Sequence, residues 1–172
     1  YKHFTVDNVS VTLCGKNIYR WSCIFDYARP FVLFQGAMHA REYITCDVLF
    51  EYIELIEKDY ENLKDIGTPN IVIFPMMNPD GVDLVKHGIN SVPIRYRDRL
   101  IRINGGLDFS RFKANANGVD INNNFNAKWE RQEGKYWPAS SGYKGKHFNS
   151  EIETLSLVNQ TLFFNPIFTI SF

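Results

Sequence analysis

His39 and Glu42 stand three residues apart in His39-Ala40-Arg41-Glu42, where an apolar strand gives way to a helical pattern. Residues at that spacing share one face of a helix. An imidazole nitrogen and a carboxylate oxygen can then meet one Zn²⁺ at about 2.0–2.2 Å. The pattern alone is short, and its meaning depends on context. The three cysteines, Cys14, Cys23 and Cys46, form no C-x-x-C pair and are too few for a disulfide scaffold. They read as free thiols of a reducing compartment, with a Cys14–Cys23 bridge across a hairpin as the alternative. Arg95, Arg97, Arg99 and Arg102 cluster locally, but without a nucleic-acid recognition motif.

The elements that must position His39 and Glu42 follow from periodicity. Val9 to Leu13 alternates, Cys14-Gly15-Lys16-Asn17 has turn chemistry, and Ile18 to Phe25 is again strand-like, which predicts a hairpin. Phe31 to Phe34 is a buried strand ended by Gly36. From about Arg41 to Asp59 the period becomes helical, with Ile44, Val48, Leu49, Tyr52, Ile53 and Ile56 on one face. Ile71 to Met77 is a second buried strand, and Asn78-Pro79-Asp80-Gly81 reads as a turn. Strand, helix, strand predicts a βαβ unit in an α/β sheet, whose ligands sit beyond the carboxyl ends of the strands. Gly36 to Glu42 and Asn78 to Gly81 both fall at such ends. Residues 82 to 149 read as mostly irregular, with a short helix around Tyr96 to Ile103. Ser150 has the chemistry of an N-cap for a helix running to about Asn165, and Ile167 to Phe172 is a last apolar strand.

Composition sets outer bounds. Hydrophobic residues make up 45%, enough to bury a core within one domain. Lys+Arg and Asp+Glu are equal at 19, so the chain carries no global field to steer nucleic acid or an anionic membrane. No apolar run is long enough to span a bilayer. No basic start followed by an apolar stretch and a small-residue cleavage site appears, so a cytoplasmic location is the expectation.

Four blocks in order then carry a resemblance. Gly36-Ala37-Met38-His39-Ala40-Arg41-Glu42-Tyr43-Ile44-Thr45 resembles the first metal motif of the zinc carboxypeptidases of the carboxypeptidase A type. Pro75 to Gly81 resembles that family's next block. Gly118-Val119-Asp120-Ile121-Asn122-Asn123-Asn124-Phe125 resembles its substrate-carboxylate block, usually written GVDLNRNF. Ser150-Glu151-Ile152-Glu153-Thr154 resembles the S-E-x-E-T helix start that follows. The resemblance implies a mixed β-sheet flanked by helices, with residues 1–172 forming the N-terminal part of a single catalytic domain. It implies Zn²⁺ held by His39, Glu42 and a later His expected after Phe172. His3, His87 and His147 do not match that later position and read as loop or surface imidazoles. The family's catalytic Glu and substrate-binding Tyr are likewise expected further on. Asp120 corresponds to the carboxylate that accepts the other N–H of the zinc-binding His. Arg41, Asn122 and Asn123 correspond to substrate-binding positions. The oxyanion-stabilising Arg of the family falls on Lys113, in Arg111-Phe112-Lys113-Ala114-Asn115, with Arg102 as the competing alignment.

One departure bears on substrate. Asn123 stands where the family has an Arg that forks onto a peptide's terminal carboxylate. A similar replacement occurs in bacterial members that look like γ-D-glutamyl-L-diamino-acid peptidases. His87 to Pro93 and Ala127 to Glu130 also resemble that branch. The expectation is a zinc-dependent peptidase of cell-wall peptides, with a peptide or muropeptide substrate and no nucleic-acid partner. The alternatives are a metal-dependent deacylase or amidase, and a catalytically dead peptide-binding module. With two metal ligands, residues 1–172 alone are expected to hold zinc weakly, to lack turnover, and to associate through an exposed sheet edge.

Overall fold

The computed structural model describes residues 1–172. A five-stranded mixed sheet runs in the order β1-β2-β4-β3-β5. Strands β1 (Thr5–Val11) and β2 (Asn17–Cys23) form the expected hairpin, with a bulge between Asn8 and Ser10. β2 pairs antiparallel with β4 (Asn70–Phe74), and β3 (Phe31–Gln35) pairs parallel with both β4 and β5 (Phe168–Ser171). The hairpin supplies the antiparallel half and the crossover through α1 (Ile44–Lys58) the parallel half.

β4 is buried along its whole length, as a strand covered on both faces must be. Its alternation divides the core. Ile71 and Ile73 join Val32, Phe34 and the α1 residues Leu49, Ile53 and Ile56 on one face. Val72 and Phe74 join Leu33, Met38, Ile121 and Leu157 on the other, where α5 (Ile152–Phe164) lies. The inward face of α1 is Cys46, Leu49, Ile53 and Ile56; Ile44 and Val48, expected inside, are exposed. A stripe through Cys46 closes on Leu49 and Ile53, and this turns positions 44 and 48 outward. A short second helix, α2 (Tyr60–Asp65), follows α1.

Three further expectations are corrected. Asn78-Pro79-Asp80-Gly81 opens a helix, α3 (Pro79–His87), rather than a tight turn. Asn78 caps it by accepting from Gly81 N, and Pro79 occupies the first turn, where its missing N–H costs nothing. The segment after it is less irregular than expected, because α3 runs on to His87; the short helix expected around Tyr96 to Ile103 is present as α4 (Ile94–Asn104). Ser150 does not cap α5: the N-cap position is Glu151, and the Ser150 hydroxyl donates to the Glu151 carboxylate instead. The arginines of the local cluster are partly tied into loops: Arg97 donates to Asn90 and Val92, and Arg99 to Asn117.

All three cysteines are free. Burial pushes the Cys14 and Cys23 thiols up to about 12 and Cys46 to about 11, so none offers a thiolate near neutral pH. No helix is long and apolar enough to cross a membrane.

Candidate metal centre

The carboxyl ends of β3 and β4 are laced together by backbone. Gly36 N donates to Phe74 O, Met77 N to Gly36 O, and Asn78 N to Ala37 O. A side chain at Gly36 would crowd Leu49 Cδ1 at 2.8 Å and the Pro75 carbonyl at 3.1 Å, so glycine suits an exit from β3 this close to α1. Ala37 then takes a left-handed φ of 48°, uncommon for a residue with a Cβ, and is held by a 2.7 Å bond from its N–H to Thr45 Oγ1. The result is a fixed exit that carries His39 to the strand end, with Glu42 one short turn (Ala40–Glu42) later.

His39 is clamped between two carboxylates. Its Nδ1 lies 2.8 Å from Glu42 Oε2 and its Nε2 lies 3.0 Å from Asp120 Oδ1. Asp120 is itself fixed, since its Oδ2 accepts from Gly142 N at 2.9 Å and its own N–H donates to Tyr143 O. The two nitrogens therefore have separate tasks: Nε2 is oriented from behind, and Nδ1 is directed at the same point as the Glu42 carboxylate. The hydrogen bond to Asp120 is the main cause holding the His39 pKa above its ordinary value, against burial, with Glu42 adding to it. Burial pushes Glu42 and Asp120 up, but the bonds to His39 outweigh it and both carboxyls lie below their ordinary values.

Lys113 and Arg41 border the pair. Lys113 Nζ is 3.5 Å, and Arg41 Nε 3.7 Å, from Glu42 Oε1. The Lys113 backbone is clamped by Ala40 N donating to its carbonyl and by its own N–H donating to Ser140 O. Arg102 is elsewhere, exposed on α4. Asn122 is exposed on a cleft of about 440 Å³ that runs past Met38, Phe125 and Leu157 to β5. Asn123 is half-buried beside it. His87 ends α3, His3 bonds Glu57 through its backbone N–H, and His147 faces Phe148 O; none of the three comes to His39. The largest cleft, about 640 Å³ between the β1–β2 hairpin and Phe50, contains none of these residues.

Sequence reasoning did not single out the amides behind the site. Asn78, fully buried, donates to Met38 O and Ala114 O and so ties both loops to α3. Asn115 Oδ1 accepts from Asn117 N and Val119 N, shaping the turn that delivers Asp120. Its amide donates to Glu151 and Glu153 at the start of α5. Both asparagines lie inside the blocks quoted above, but only their neighbours in space show what they hold.

One imidazole nitrogen and one carboxylate converging on a point, with the other nitrogen anchored to a carboxylate, is the donor chemistry of a zinc site. No third His, Cys, Asp or Glu joins them among residues 1–172.

Comparison with known proteins gives a consistent result. A family model described as zinc carboxypeptidase, the M14 peptidases, matches residues 23–169. The protein YqgT of Bacillus subtilis is 32% identical over 133 residues, covering 69% of this chain and 34% of the relative. The γ-D-glutamyl-L-diamino acid endopeptidase 1 of Lysinibacillus sphaericus is 29% identical over 142 residues, covering 74% and 35%. The chain thus spans about a third of the length of these curated relatives. Among solved structures, carboxypeptidase A of Helicoverpa armigera superposes with a TM-score of 0.70 at 20% identity, over 98% of this chain and 40% of that one. The murein-tripeptide amidase MpaA of Escherichia coli O157 gives 0.55 at 20% identity, over 96% and 59%. The match over 23–169 and the carboxypeptidase-like mixed sheet lead to one conclusion: this chain belongs to the zinc carboxypeptidase family.

Proposed function

We propose that residues 1–172 are the part of a zinc-dependent metallopeptidase domain that supplies two metal ligands and one wall of the substrate cleft, and that the substrate is a cell-wall peptide cut at a γ-D-glutamyl–diamino-acid bond. The observation that carries the first half is the His39 clamp: Nδ1 and the Glu42 carboxylate converge while Asp120 holds Nε2. His39 and Glu42 would hold the zinc. Bound there with a third ligand, Zn²⁺ supplies a water of lowered pKa and a Lewis acid for the scissile carbonyl.

The chain's own residues do the rest of what can be assigned. Asp120 keeps the Nε2 proton in place, so that Nδ1 presents a lone pair. Lys113, rather than Arg102, brings a positive charge next to Glu42, where negative charge develops on the carbonyl oxygen. Arg41, half-exposed at the rim, meets acidic groups of the substrate. Asn122 and Asn123 offer neutral amides to its carboxylates.

The cell-wall reading rests on Asn123 and on the endopeptidase relative from L. sphaericus. An amide in place of a guanidinium fork weakens the grip on a lone α-carboxylate by on the order of tenfold. In a chain that joins these residues to a third ligand, γ-D-glutamyl-diamino-acid peptides should be cut in preference to simple peptides with a free α-carboxylate. Asn123→Arg should raise the ratio of simple-peptide to cell-wall-peptide kcat/KM. An unchanged ratio, or a native preference for simple C-terminal residues, would sink the cell-wall assignment while leaving the metallopeptidase intact.

A further inference from the structure

A third cleft, about 490 Å³, lies between the turn Trp129–Arg131 and the segment Tyr143 to Lys146. Its size is within the roughly 300–1,000 Å³ of small-molecule clefts. Its walls combine two kinds of group. Trp129, Tyr136 and Tyr143 provide rings; Tyr136 is 82% exposed, Trp129 half-buried and Tyr143 buried. Lys135, Lys144 and Lys146 provide charge, with Glu130 the one carboxylate on the wall.

These charges are not spent on ion pairs. No carboxylate lies within 4.0 Å of the Lys135, Lys144 or Lys146 ammonium. Lys144 is buried, yet its partners are two carbonyls, Trp129 O at 2.8 Å and Gln132 O at 3.0 Å, and the Trp129 ring at 4.4 Å. Trp129 Nε1 returns a bond to Lys144 O, so the ring and the cation fix one another. Residues 128–147 hold five Lys or Arg against two Glu, in a chain whose formal charge is zero. The positive charge is therefore local, and the wall that carries it is rigidly tied.

The ligand must answer both groups. Unpaired lysines select an anion as point charges, without the planar fork of arginine. The exposed Tyr136 beside the half-buried Trp129 selects a partner with an apolar face, which a bare phosphate lacks. The neutral molecule as a whole offers no path of charge for a nucleic-acid backbone to follow. We propose that this cleft is a binding subsite for an acidic sugar, a pyranose ring bearing a carboxylate, with its C–H face on Tyr136 and Trp129 and its carboxylate on Lys135 and Lys146. The cleft adjoins the metal centre through one strap: Gly142 bonds Asp120, and Tyr143, the next residue, forms part of the cleft wall. The inference concerns binding, and it does not depend on the hydrolytic reading.

The test needs no turnover. Uniformly ¹⁵N-labelled chain is titrated with N-acetylmuramic acid, with N-acetylglucosamine as the same ring without the carboxylate, and with inorganic phosphate and a single-stranded oligonucleotide as other anions. The acidic sugar should shift the amides of residues 129–136 and 143–146, and bind on the order of tenfold tighter than the neutral one, the gain of a charge-assisted contact. Lys135→Glu with Lys146→Glu should remove that difference, and Tyr136→Ala should weaken both sugars. All three side chains are exposed, and unshifted amides elsewhere would report an intact fold. Equal binding of the two sugars, tighter binding of phosphate or the oligonucleotide, shifts confined to other residues, or no shift up to the solubility of the probe would each overturn the assignment.

Discussion

His39 makes the balance of charge at the candidate metal centre a pH-dependent quantity. In the metal-free chain its pKa is raised, chiefly by the bond to Asp120, while Glu42 and Asp120 are lowered by their bonds to it despite burial. A raised imidazole stabilises the fold fully below its ordinary pKa, and the contribution is lost as pH rises through the folded value. The lowered carboxyls stabilise above the usual carboxylate range, and their contribution is lost as pH falls through their folded values. The triad thus favours the mildly acidic window between. Asp120→Asn should lower the His39 pKa, read by NMR titration of the imidazole, and weaken zinc binding by roughly 10–100-fold in calorimetry. An unmoved His39 pKa would mean that the Asp120 contact is not what sets the proton's position.

Glu153 shows the opposite sign. Burial pushes it up to about 7, with Glu151 and Asp80 nearby adding to the effect, although Asn115 donates to it. Between the ordinary glutamate pKa and about 7 the folded chain holds a proton that the unfolded chain has released. Stability therefore falls as pH rises through that interval. Glu153→Gln should flatten this part of the Tm-against-pH curve. Asn115→Ala should cost about 1–3 kcal/mol by denaturant melting, because it strips a donor from two buried carboxyls.

At the scale of elements, the α3 N-terminus is the joint between the two strand ends and the loop that carries Lys113. A Cβ on Gly81 would lie 2.6 Å from Ala114 O and 2.7 Å from the Ala40 Cβ. Gly81→Ala should then destabilise the chain by about 1–3 kcal/mol and loosen zinc binding, because it pushes apart the segments that carry His39 and Lys113. A melting midpoint and a zinc affinity both equal to those of the native chain would show that this joint yields freely. The same joint shows what could be read from the linear chain. The strands, the hairpin and the helix after His39 were legible because apolar residues repeat at strand and helix periods. The start of α3 was not, because Asn-Pro-Asp-Gly satisfies a turn and a capped helix equally, and only the contacts of Asn78 with Met38 and Ala114 select the helix. The outward turn of Ile44 and Val48 was hidden for a related reason: a small buried Cys46 sets the stripe, and aliphatic bulk at 44 and 48 points elsewhere. The His39–Glu42 pairing was visible as spacing, whereas its geometry with Asp120 joins residues 81 positions apart.

At the scale of residues 1–172 taken together, the outer side of β5 is an exposed edge. β5 pairs only with β3. Phe168 and Ile170, in register with Val32 and Phe34, are exposed on its α1 side, and Leu162 and Phe163 of α5, each 75% exposed, belong to the helix on the opposite face. An unpaired strand edge with exposed apolar side chains on both faces favours association. Sedimentation of residues 1–172 should show a mass that rises with concentration, and Leu162→Lys with Phe163→Lys should suppress it. Weak zinc affinity and absence of peptidase turnover are expected of the same material, since two protein ligands are one short of the usual three. Turnover that His39→Ala abolishes would overturn that expectation.

The pairing of β3 with β5 also has a consequence for how the chain is made. Val32 sits opposite Phe168, 136 positions later, while β4 reaches β3 after fewer than 40. During synthesis at about 5–20 residues per second, the outer edge of β3 therefore stays open for on the order of ten seconds after β3 and β4 can meet. Such a late partner makes the closing of Val32 to Gln35 a slow, non-local step. The nascent sheet is then a natural client for a chaperone that covers strand edges, and ribosome-bound chains stopped before residue 168 should crosslink to one through residues 32–35 more strongly than chains carried past residue 172.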